Sequence, residues 1–87
     1  MTHYALPAFW QHYQKLPIEI QRLADKNFAL LKSDPLHPSL HFKKIGGKTQ
    51  AWSVRVGRQY RALGREAGQT IHWFWIGPHA TYDGLLK

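Results

Sequence analysis

Hydrophobic and polar positions alternate most clearly between Ala51 and Gly77, AWSVRVGRQYRALGREAGQTIHWFWIG. Trp52, Val54 and Val56 are separated by Ser53 and Arg55, the period-two pattern of a strand with one buried face. Gly57-Arg58-Gln59 reads as a turn, Tyr60 to Gly64 as the returning strand, and Glu66 to Gln69 as a second turn. Thr70 to Ile76 is apolar on both faces, as an interior strand is. Upstream the period lengthens. Phe9, Trp10, Tyr13 and Leu16 recur at helical spacing behind Pro7, a residue well suited to a first helical position. Pro17 ends that helix and can begin the next, whose stripe is Ile20, Leu23, Ala24, Phe28 and Leu31 and whose stop is Asp34-Pro35. Thr2 to Leu6 fits either an edge strand or an ordered lead-in. Leu36 to Ser39 is a connector, Leu40 to Ile45 a strand, and Gly46 to Thr49 its turn. The tail from Gly77 onward leaves the last strand through a Gly-Pro break.

The order (β)ααββββ predicts an α+β domain, with a helical hairpin laid on one face of an antiparallel sheet. Eighty-seven residues make one domain, 1–87, near the lower end of what folds without staples. There is no cysteine, so the core must come from packing, and four Trp, four Tyr and four Phe supply large buried areas for it. The absence of a long apolar run argues against a membrane span and places the chain in the cytoplasm. Twelve Lys and Arg against five Asp and Glu leave a net charge of +7, which favours a polyanionic partner, either nucleic acid or an acidic protein segment.

Six histidines raise the question of a metal, but the spacing answers it poorly. His37 and His41 lie four apart in an extended, proline-bounded stretch where that spacing does not converge, and no HExxH or Cys-His pair exists. Phosphate-loop and dinucleotide fingerprints are absent, and no nucleophile elbow surrounds Ser33, Ser39 or Ser53. Neither a metal nor an organic cofactor is expected. What remains is a distributed cationic set: Lys43 and Lys44, Arg55, Arg58 in the turn, and Arg61, followed by His79, Tyr82 and Asp83. Adjacent strands lie about 5 Å apart, so Arg55, Arg61 and one lysine can share a face. Such a set suits RNA cleavage by internal transfer, with cations on the phosphate oxygens and an imidazole moving the proton. As plain structure, the arginines would be solvated cations, His79 a turn residue, Tyr82 packing and Asp83 an ion-pair partner. Trp10, His12 and Tyr13 read as packing or rim residues, and His72 as a core or rim histidine.

Several stretches together resemble the RelE/ParE superfamily of bacterial type II toxins. They are Asp34-Pro35, His37-Pro38-Ser39-Leu40, Phe42-Lys43-Lys44-Ile45, Trp52 to Gly57, Tyr60 to Gly64, and Gly77-Pro78-His79-Ala80-Thr81-Tyr82-Asp83. The resemblance implies a microbial RNase-like fold with two helices on a four-stranded, twisted, mainly antiparallel sheet. It implies one of two activities: ribosome-dependent cleavage of mRNA, which inhibits translation, or inhibition of DNA gyrase by protein contact. A toxin-fold protein that only binds its antitoxin is a third outcome. On the ribonuclease reading the resemblance makes His79 the general acid or base, Arg55 and Arg61 the phosphate contacts and Tyr82 a stacking surface for a base. Lys43, Lys44, Arg58 and Asp83 would support the substrate. The partners implied are a cognate antitoxin, the ribosome and mRNA, or gyrase. Ser53 stands where a further cation is common, and the chain leaves no length for a C-terminal helix.

Overall fold

Three helices and five strands account for the computed structural model, which describes residues 1–46 and 50–85. In chain order these are β1 (Thr2–Ala5), α1 (Pro7–Tyr13), α2 (Ile18–Ser33), β2 (Lys43–Lys44), β3 (Trp52–Val56), β4 (Tyr60–Ala67), β5 (Thr70–Pro78) and α3 (His79–Leu85). The sheet order is β1-β5-β4-β3-β2. All neighbours are antiparallel except β1, which runs parallel to β5 with His3 beside Ile71. The α+β class and the helical hairpin stand as expected. The sheet has five strands rather than four, because the N-terminal segment is a true edge strand.

Both helices begin behind or at a proline and α2 ends at Asp34-Pro35, but α1 stops at Tyr13, short of the Pro17 expected to end it. Pro7 occupies the first turn of α1, where its missing N–H breaks no bond. Pro17 caps α2, and Asp34 leaves it in an extended backbone. Leu16 lies past the end of α1 yet is buried, so it packs from the connection rather than from a helical stripe. The strand expected over Leu40–Ile45 is reduced to two residues. Pro38–Leu40 instead forms a short 3-10 turn that buries Leu40, and His41 leaves it in the left-handed region at φ 45°. The turn expected at Gly46–Thr49 lies outside the described residues beyond Gly46. Among the described residues no helix is long and apolar enough to cross a membrane.

One irregularity in β5 divides the core between the two faces of the sheet. Leu63 pairs with Trp75 and Gly64 with Trp73, so Phe74 has no partner across the ladder. The extra residue is a β-bulge, and it reverses the alternation beyond it. Trp73 therefore joins Phe9, Leu31, Leu40, Val54, Val56, Ala62 and Ile71 under α1 and α2. Trp75, two residues on, faces the other way and packs with Ala51, Leu63 and Tyr82 under α3. Gly64 is required at this point, because a Cβ there would sit 2.6 Å from Ile71 and 2.9 Å from the Trp73 ring. At the β3–β4 turn Gly57 has φ +66°, and a Cβ would come within 2.8 Å of Leu23 on α2.

α3 corrects the expectation that the tail is too short for a helix. It starts directly at the end of β5 and is pinned by Tyr82, which is only 9% exposed. Burial of that one aromatic ring holds a seven-residue helix too short to persist alone in water.

Candidate active site

The face opposite α1 and α2 carries the arginines. Directly paired residues on antiparallel strands project to the same side, and Arg55 pairs with Arg61. Trp52, Val54 and Val56 alternate with Arg55 and enter the core under α1 and α2, as the period predicts. Lys43 pairs with Ser53, placing it on the arginine face at the sheet edge, whereas Lys44 pairs with Trp52 and belongs to the other side. Of the lysine pair, Lys43 is therefore the one that shares the face. Ser53 is itself buried, so its position could not hold an exposed cation.

α3, docked through Tyr82, brings three more groups to the same side of the sheet. The His79 backbone N–H donates to the Gln59 carbonyl at 2.6 Å, which ties the start of the helix to the β3–β4 turn. One helical turn on, Asp83 Oδ2 lies 3.3 Å from His79 Nδ1. Both side chains remain open to solvent, at 45% and 53% exposure. Arg61 is half-buried and donates to the Tyr60 carbonyl at 2.8 Å. Burial and then the charge of Arg55 lower its pKa, while Tyr82 and Asp83 act in the opposite sense. Even so lowered, a guanidinium stays charged at any physiological pH. Arg61 is thus within electrostatic reach of Arg55, Tyr82 and Asp83. The His79 imidazole is exposed, on a helix whose Tyr82 packs against Leu63 and Trp75.

Two expected roles change. Tyr82 is not an open platform for a base: its ring is buried against Leu63 and Trp75 and stacked on His79 at 5.7 Å between centroids. It acts by seating the helix that carries His79. Arg58 is exposed in the β3–β4 turn and lines a cleft with Arg55 on the α2 side. His72 is half-buried, edge-on to Tyr4 at 6.0 Å, a rim position as expected. Among the described residues no three His, Cys, Asp or Glu side chains group as a metal site would need.

Pattern reading overlooked His41 and Asn27. His41 Nε2 lies 3.3 Å from Arg55 Nη1, and Asn27 donates to the Arg55 carbonyl at 3.2 Å. Neither contact has a sequence signal, since both cross from elements whose approach depends on the 3-10 turn and the seat of α2.

The chain as a whole is similar to known proteins. No curated protein matches the chain. Among solved structures, the chain is similar to the RelB-RelE antitoxin-toxin complex from Methanococcus jannaschii, at 20% identity and a TM-score of 0.73, covering 97% of this chain and 99% of that one. It is also similar to YafQ from E. coli, at 9% identity and 0.72, covering 92% and 94%. The YoeB/ParE toxin from Agrobacterium tumefaciens matches at 18% identity and 0.67, covering 91% and 99%. At these identities the structures share the fold. The family model for the ParE-like toxin domain matches residues 19–84, from the start of α2 to the end of α3. The chain therefore belongs to the ParE-like toxin domain family, within the RelE/ParE superfamily of toxins.

Proposed function

We propose that this toxin domain is an endoribonuclease that cuts mRNA at the ribosome and so stops translation, with His79 moving the proton. The observation that carries the reading is the exposed His79–Asp83 pair, whose carboxylate acts on Arg61, itself paired across the sheet with Arg55. With Nδ1–H given to Asp83, neutral His79 presents Nε2 as a base, and the carboxylate stabilises the imidazolium that forms. Nε2 takes the ribose 2′-OH proton as the 2′ oxygen bonds to phosphorus. The P–O5′ bond breaks, and the 5′ oxygen takes a proton from water at the open face. A 2′,3′-cyclic phosphate and a 5′-hydroxyl result, and His79 returns its proton to solvent. Arg61 and Arg55 hold the charge that grows on the non-bridging oxygens. Neutralisation by a cognate antitoxin in the cytoplasm belongs to the same reading, as RelE is found with RelB in the Methanococcus jannaschii structure.

The ParE-like description of the family supports a second reading, inhibition of DNA gyrase by contact, which needs no imidazole. Expression of wild type and His79→Ala, with translation, mRNA ends and supercoiling all measured, separates the two. The expected result is cut mRNA and halted translation in wild type alone, with normal supercoiling. A folded His79→Ala protein that remains toxic would sink the ribonuclease reading, and lost supercoiling would establish the second.

A further inference from the structure

A second concentration of positive charge lies around the edge of β3 from the arginine face. β2 pairs only with Trp52 and Ser53, so β3 is uncovered beyond that point. There, a cleft of about 600 Å³ opens between α2, the 3-10 turn and the β3–β4 turn. Lys26, Arg55 and Arg58 line it together with Asn27, His37 and Ser39, and among the described residues no acidic side chain does. Three cations with no acidic side chain among the lining residues give the cleft a positive potential that attracts an anion.

The neighbouring groups hold the cleft open in an ordered form. Asn27 bonds the Arg55 carbonyl, which fastens α2 to the uncovered strand edge. His37 Nδ1 accepts from the Ser39 backbone N–H at 3.2 Å and lies 2.8 Å from the Ser39 hydroxyl. His41, a non-glycine residue in a left-handed backbone, brings its ring against the Arg55 guanidinium. A conformation of that kind persists where surrounding contacts impose it. Arg55 belongs to both regions, since it pairs with Arg61 across the sheet and lines the cleft at the strand edge.

We infer that this cleft is a second phosphate-binding site for single-stranded RNA, in which Lys26 and Arg58 hold backbone away from the phosphate facing His79. It rests on the ribonuclease reading only for the identity of the strand, not for the binding itself. The chain of cations from Lys26 through Arg55 to Arg61 then guides one strand round the sheet edge, and contacts of this type are sequence-independent.

The test uses the full chain with His79→Ala, so that the probe, a fluorescent oligouridylate of about 10 nucleotides, survives whether or not the wild type cleaves. Affinity is measured against salt. Replacing Lys26 with Ala is expected to make the log–log salt slope shallower by about 0.7, and adding Arg58→Ala to double that change. Lys32→Ala is the control, because Lys32 rests on Phe28 at 4.6 Å and does not line the cleft. Equal loss of slope in that control would show a general charge effect and overturn the proposal. So would an unchanged slope in the double variant, or selective loss of an oligoglutamate peptide with RNA binding intact. Unfolding midpoints of all variants exclude misfolding as the cause. A shallower slope in the cleft variants, found alongside a toxic His79→Ala protein, would leave the cleft standing and remove only the cleavage.

Discussion

The two faces of this sheet use aromatic rings in opposite ways. Under α1 and α2, Trp73 is 1% exposed, its indole N–H donates to His3 Nδ1 at 3.1 Å, and Phe28 and Phe42 stand edge-on to the same imidazole. Here rings pack around a half-buried histidine. Burial lowers the pKa of His3, and the charges of the N-terminus and Lys32 add to the effect. Under α3, Trp75 and Tyr82 form a small patch that leaves His79 at 45% exposure beside a carboxylate. A large core stabilises the fold, and a small one fixes the place of a histidine without enclosing it. The difference lies in how many layers cover each face: two helices on one side, one short helix on the other.

The largest expected effect breaks the first face. Trp73→Ala should cost about 3–5 kcal/mol of stability, read as a lower urea midpoint, because the surrounding rings cannot collapse into the space. A loss below about 1 kcal/mol would mean that the two faces are equally shallow.

Arg61→Ala should do the reverse. Cleavage of mRNA should fall by about 10²–10³-fold, the usual effect of removing one group that binds developing negative charge. Stability should stay within about 0.5 kcal/mol of wild type. A loss of stability matching the loss of activity would make Arg61 a structural residue.

A pair of glycines sharpens the contrast. Gly64→Ala drives a methyl into Ile71 and Trp73, and Gly77→Ala drives one into the Trp75 ring at 2.6 Å. Each should cost about 1–3 kcal/mol by overpacking. Only Gly77→Ala should also reduce cleavage in the protein that stays folded, since displaced Trp75 unseats Tyr82 and with it His79. Comparison of specific activities checks this.

The smallest effect is in pH. His3 has a folded pKa below its ordinary 6.5, so the unfolded chain binds a proton more readily. Its contribution to stability is complete above about 6.5 and is lost as the pH falls through the lowered folded value. His3→Gln keeps an acceptor for the indole and should flatten that acid limb in chemical unfolding measured at stepped pH. An unchanged limb would place its origin in other groups.

Local pattern carried much of this structure. The separation of Arg55 from Trp52 and Val54 follows from period two, the boundaries of α2 from Pro17 and Asp34, and the turn at Gly57 from its backbone freedom. The bulge at Phe74 was not legible, because an apolar run of ring-bearing residues reads the same whichever face each one takes. Tyr82 was readable as an aromatic and its burial was not, since that depends on the patch the bulge turns outward. The same holds for His41, whose contact with Arg55 needs a 3-10 turn where extended chain was expected.

The sequence by itself determined which residues could carry charge, protons and apolar surface, and the periods that sort most of them to one side or the other. Those are properties of neighbours along the chain. Tertiary structure alone decided that Trp73 and Trp75 part company, that α3 docks on the second face, and that Asp83 meets His79 within electrostatic reach of Arg61. Each of those outcomes depends on packing between segments far apart in the chain, where a single inserted residue exchanges inside for outside.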